Sequence, residues 1–219
     1  KTDAHLIAKF CSLLHPEPWK PLPADIYKLR ALLNQLEILG KYHRQEKTRL
    51  KSTPEIIHKS IEKLISSLKE EILETKAAIT DLIKSNKDLE RKIMLLETIP
   101  GIASLTAWRL VSYFFSLERF DSVKQIVAYV GLNPKIFCSG KSVKKVTRMS
   151  KTGDAELRKA LYFPAISAKS CNPAVSNLCR RLEANGKHKM VVIGTAMRKL
   201  LHIVYGVLKS NTPFTYHAV

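Results

Sequence analysis

Apolar residues recur every three to four positions along most of the 219-residue chain. That spacing lays one apolar stripe down an α-helix, and it predicts an all-α fold. Asp3 to Leu14 reads as a short helix stopped by Pro16, and Pro16, Pro18, Pro21 and Pro23 mark a linker. A long helix is expected from about Ala24 to Lys51. Thr53-Pro54-Glu55 then has the chemistry of a helix start: a hydroxyl N-cap, proline at the first helical position and an acid in the first turn. In the helix that follows, Ile57, Ile61, Leu64, Leu68, Ile72, Ile79 and Leu82 are spaced as a heptad seam beneath a Lys- and Glu-rich outer face. Two consecutive long helices predict an antiparallel coiled-coil helical hairpin, its seam serving either one subunit or a pair.

Beyond Asn86 a helical stretch runs to Leu96. Thr98-Ile99-Pro100-Gly101-Ile102-Ala103 makes a turn into a helix from Ser104 to about Phe115. The turn reads either as half of a helix-hairpin-helix, offering backbone amides to a phosphate, or as an ordinary interhelical turn. Asp121 is expected to cap a helix ending at Val130. Residues 131–153 read as irregular, and three helices follow, opened by Asp154, by Asn172-Pro173 and at Lys187. The last, to Lys209, is apolar at Val192, Ile193, Met197, Leu200, Leu201, Val204 and Leu208 and reads as a core helix. No apolar run is read as a membrane span, and no signal-peptide pattern is found. The chain opens on Lys1, not Met, so it reads as a fragment.

Charge changes the picture. The chain carries 37 Lys and Arg against 19 Asp and Glu, a net charge of +18. From residue 122 onward there are 17 basic residues and only Asp154, Glu156 and Glu183 as acids, a surplus of 14. A field this lopsided points to a polyanion, with nucleic acid first among partners. Cys11, Cys138, Cys171 and Cys179 show no CxxC pairing, which argues against zinc and a disulfide framework and fits a reducing cytoplasm.

The acid-free stretch 122–153 holds Lys124, Lys135, Lys141, Lys144, Lys145, Arg148 and Lys151 around Cys138-Ser139-Gly140 and Ser150. A serine in such a loop has two readings. It is a nucleophile on a phosphodiester, with cations stabilising charge on the phosphoryl oxygens, or a hydroxyl donor in a loop that grips phosphates. No His or Asp nearby in sequence offers a base.

The blocks LLETIPGIASLTAWRL, AYVGLNPK, CSGKSVKKVTRMSKTG, LRKALYFPAI and NGKHKMVVIGTAMRKLLHIVYGVLKSNTPF, from about Leu95 to Phe214, together resemble the transposase domain of the insertion-sequence one-ten family, the bridge-RNA-guided, DEDD-type recombinases. The resemblance implies that Ser139, before Gly140, is the catalytic nucleophile. It also implies nucleic-acid contacts in the blocks holding Lys141, Lys144, Lys145, Arg148, Ser150 and Lys151, then Arg158 and Lys159. The family carries an RNase H-like (RuvC-like) domain whose Asp-Glu-Asp-Asp tetrad holds divalent metal. Lys1-Thr2-Asp3-Ala4 resembles part of its last segment, leaving Asp3 as the one candidate ligand here.

The domains expected are therefore residues 1–15, a remnant of the RNase H-like domain; 16–96, linker and coiled-coil hairpin; 97–214, a compact helical transposase domain with an irregular basic loop; and 215–219, a tail. The resemblance implies a prokaryotic, cytoplasmic transposase that cuts and rejoins DNA through a phosphoserine intermediate. Its implied partners are DNA, a guide (bridge) RNA and a second copy of itself through the coiled coil, with magnesium in the complete enzyme and no membrane. Because one aspartate cannot hold that metal, the rival is a catalytically inactive, truncated nucleic-acid-binding remnant. A helix-hairpin-helix protein with no covalent step is a third reading.

Overall fold

The computed structural model describes residues 2–16, 21–135, 138–139, 143–144 and 148–216, with only the backbone described at 138–139 and 143–144. Among these residues it is all-α apart from four two-residue strands. The helices are α1 (Thr2–Leu14), α2 (Ala24–Leu50), α3 (His58–Ser85), α4 (Lys87–Glu97), α5 (Ser104–Phe114), α6 (Val123–Val130), α7 (Ala155–Cys171), α8 (Pro173–Ala184) and α9 (Lys189–Ser210). α1 buries none of its residues.

α2 and α3 pack against each other as a helical hairpin. The buried face of α3 is Ile61, Ile65, Thr75, Ile79 and Ile83, with Leu68, Ile72 and Leu82 half-buried. Two members of the expected seam turn outward: Leu64 is 44% exposed, and Ile57 lies in a short 3-10 turn before the helix. Ile65 takes the place of Leu64, restoring alternate spacings of four and three. The start signal at Thr53 also works differently. Its hydroxyl donates back to the Arg49 carbonyl (3.0 Å), and Pro54 leads into the 3-10 turn, so α3 begins only at His58.

Three other starts follow side-chain chemistry. The Asn86 carboxamide accepts from the Leu89 N–H at 3.1 Å, Asp154 accepts from Leu157 at 2.8 Å, and Asn172 accepts from Ala174 and Val175 ahead of Pro173. The cap of α6 lies one residue beyond the expected Asp121, so the helix begins at Val123. Asp121 instead exchanges hydrogen bonds with the Gln125 side chain, while Ser122 holds the N-cap position.

α9 is the central core helix, contacted by α4, α6, α7 and α8. It buries Val192, Ala196, Met197, Leu200, Leu201, Val204, Val207 and Leu208. By length and composition alone it is also apolar enough to cross a membrane, but most of its apolar residues are buried here as those of a core helix. One hydrophobic cluster joins α9 to Leu110 and Phe114 of α5, Leu157 and Leu161 of α7, and the hairpin residues Ile26, Leu29, Leu33, Ile79 and Ile83. The Pro100–Gly101 turn lies against α7. A Cβ on Gly101 (φ +99°) would come within 2.8 Å of Ala168, and the Asn172 carboxamide donates to the Pro100 carbonyl.

Candidate nucleic-acid interface and serine loop

The stretch between α6 and α7, expected to be irregular, holds antiparallel strand pairs. β1 (Pro134–Lys135) pairs with β4 (Arg148–Met149), and β2 (Cys138–Ser139) with β3 (Val143–Lys144), so that Ser139 lies opposite Val143. Strands of two residues carry too little alternation to be read from sequence. Ser139 thus sits on backbone held by pairing within a segment that contains no acid.

The neck of this loop is crowded. Gly131 closes α6 in the left-handed conformation (φ +75°), its N–H donating to the Ala128 carbonyl at 2.9 Å, while Leu132 donates to Val127. A Cβ on Gly131 would lie 2.8 Å from the Thr152 carbonyl and from Nη1 of Arg158. A Cβ on Gly153 (φ +142°) would strike the Tyr129 carbonyl. The two ends of the loop cross where only glycine fits. Backbone bonds tie them together: Ser150 N–H to Asn133 O (2.8 Å), Lys151 N–H to Gly131 O (3.1 Å) and Asp154 N–H to Tyr129 O (2.8 Å). On the other side, a Cβ on Gly194 would lie 2.8 Å from Cε of Met149, so the ribbon rests closely on α9.

The expected nucleic-acid contacts occupy different settings. Arg148 and Lys151 are exposed, Lys151 at a positive φ of 55°. The Ser150 hydroxyl accepts from the Thr152 N–H at 3.2 Å. Nη1 of Arg158 donates to the carbonyls of Val130 (2.9 Å), Gly153 (3.1 Å) and Asp154 (3.2 Å). Lys159 pairs with Glu37 of α2 and, at 3.8 Å, with Glu156. Lys141 and Lys145 lie outside the described residues, as do the side chains of Ser139 and Lys144.

A second polar cluster escaped the sequence analysis. Arg109, buried on α5, donates to the Asn34 side chain (2.9 Å), to the Leu33 carbonyl (3.3 Å) and to Glu37 (2.9 Å). A charge on an apolar helix face must find a partner, and Arg109 among Ala107, Leu110 and Val111 was the available signal. Glu37, holding Arg109 and Lys159 at once, has its carboxyl held below the usual range. The Lys159 hydrogen bond is the largest cause, and partial burial opposes it.

Among the described residues no three His, Cys, Asp or Glu side chains converge on a point that could hold a metal ion. Asp3 stands on exposed α1. These donors do not fit a resident divalent ion.

Fold and loop together define a helical protein that carries a basic β-ribbon between two core helices. The family model for the transposase IS116/IS110/IS902 family matches residues 94–180, which span α5, α6, the ribbon and α7. Pilin gene-inverting proteins of Moraxella bovis and Moraxella lacunata are each 33% identical over 215 residues, 98% of this chain and 67% of theirs. An uncharacterised 43.6 kDa protein of insertion element IS110 from Streptomyces coelicolor is 23% identical over 118 residues, 54% of this chain and 29% of its own length. The chain belongs to the IS116/IS110/IS902 family of transposases, recombination enzymes whose partner is DNA.

Proposed function

We propose that this chain supplies the nucleophile of a DNA recombinase guided by a structured non-coding RNA. Ser139 Oγ attacks a backbone phosphorus, a P–Oγ bond forms and the P–O bond to one DNA end breaks. The serine proton leaves to solvent, and the departing DNA oxygen takes one up. Attack by the hydroxyl of a second DNA end then reverses the step and frees the serine. Lys141, Lys144, Lys145, Arg148 and Lys151 would stabilise charge on the phosphoryl oxygens. The observation that carries this reading is the placement of Ser139 on paired backbone in an acid-free ribbon with a pinned neck. Self-association through the hairpin belongs to the same reading, supported by Ile38, Tyr42 and Leu73 exposed on its surface, as does magnesium held by the acidic tetrad that the family resemblance implies.

The rival, a nucleic-acid-binding chain with no covalent step, draws support from Asp3, on which no further His, Cys, Asp or Glu pair converges among the described residues. One experiment separates the two. The chain is joined to the acidic-tetrad domain of a relative and given DNA, guide RNA and magnesium. It should then form a denaturant-resistant protein–DNA adduct. Ser139→Ala should abolish the adduct while DNA affinity stays within about twofold, because the loop's charge is unchanged. An adduct that survives Ser139→Ala, or maps to Ser150, overturns the assignment; binding without any adduct supports the rival.

A further inference from the structure

We infer that Arg158 is a positioning residue for the serine loop, acting as the clamp of its neck instead of as a phosphate contact. This rests on the reading of Ser139 above, but the geometry stands apart from it. Nη1 of Arg158 donates to carbonyls on both sides of the loop: Val130 before it, Gly153 and Asp154 after it. Gly131 at the crossing leaves the room the guanidinium fills, since a Cβ there would meet that same nitrogen at 2.8 Å. Arg158 projects from the first turns of α7, whose N-cap Asp154 is itself bonded across the neck to Tyr129. The guanidinium therefore ties the end of α6, the close of the ribbon and the start of α7 to a single nitrogen. A planar guanidinium carries this nitrogen to the neck; an ammonium on the flexible lysine stem keeps the charge but ends about one bond short of the three carbonyls.

The distinction is measurable because a clamp depends on geometry and a phosphate contact depends on charge. Arg158→Lys and Arg158→Ala are made in the full chain, and amide hydrogen exchange is followed at Lys151 and Asp154, whose N–H groups bridge the neck to Gly131 and Tyr129. Both variants should speed exchange at these amides by about tenfold, the scale of one lost hydrogen bond to a charged group, with α9 amides unchanged. The salt slope of DNA binding should stay as in the parent chain. The variants joined to the tetrad domain should form the serine adduct more slowly at saturating DNA, with little change in the DNA concentration for half-maximal rate. Three results overturn the clamp. They are normal neck exchange in Arg158→Lys, a salt slope smaller by about one phosphate in Arg158→Ala, and exchange that rises equally throughout α9. Faster neck exchange with no adduct even from the parent chain leaves the clamp standing and refutes the Ser139 reading instead.

Discussion

Glu37 accepts from Arg109 of α5 and from Lys159 of α7, so one carboxylate on the hairpin holds two other helices. Its depressed pKa fixes the sign of a pH effect. Its contribution is fully present once pH exceeds the ordinary carboxylate range, and it is lost as pH falls through the lower folded value. Glu37→Gln should therefore destabilise the chain at neutral pH by an amount on the order of 1 kcal/mol, the scale of a hydrogen bond to a charged group that is partly screened by solvent. That deficit should shrink towards zero on acidification through the same window. Denaturant titrations of both proteins at stepped pH values measure the difference. A deficit independent of pH would show that the ion pairs add nothing beyond the hydrogen bonds.

On the element scale, the hairpin offers an internal control. Ile65 is buried and Leu64, one residue earlier, is largely exposed. Ile65→Ala should cost about 2–5 kcal/mol, from lost transfer energy and a residual cavity, whereas Leu64→Ala should stay within about 0.5 kcal/mol. Equal losses at both sites, measured by chemical denaturation, would mean that α3 presents a different face. The same pair shows where sequence reading reaches its limit. Helices announced themselves through local chemistry: Asn86, Asp154 and Asn172 cap where a short polar acceptor precedes an apolar period. Adjacent apolar residues such as Leu64 and Ile65 fit the period equally well, and only the position of α2 chooses between them. The ribbon was illegible for another reason, since strands of two residues leave no pattern. Its composition nevertheless showed the absence of acids and the serine at its centre. The roles of Gly131, Gly153 and Arg158 arise from a crossing of segments more than twenty residues apart, which no local pattern encodes.

Across the whole molecule, the hairpin's root and the helices around α9 share one hydrophobic cluster. Ile26, Leu29 and Leu33 of α2 are buried with Leu96 and Ile99, and Arg109 adds polar bonds across the same contact. Thermal unfolding should accordingly be a single transition, with calorimetric and van't Hoff enthalpies in agreement. Two resolved transitions, one losing the hairpin alone, would show that the cluster is divisible. The shared core also constrains how such proteins can exchange parts. A crossover between two relatives near residue 97 would cut the chain at a turn yet leave Glu37 from one parent facing Arg109 and Lys159 from the other, and mismatched core side chains around them. A crossover at the exposed bend around Ser52, far from this contact in the chain, leaves α2 with its own Glu37 but still asks the second parent for Arg109 and Lys159. A chimaera of this chain therefore keeps this three-residue contact only where Glu37, Arg109 and Lys159 are inherited as a set, whatever the breakpoint.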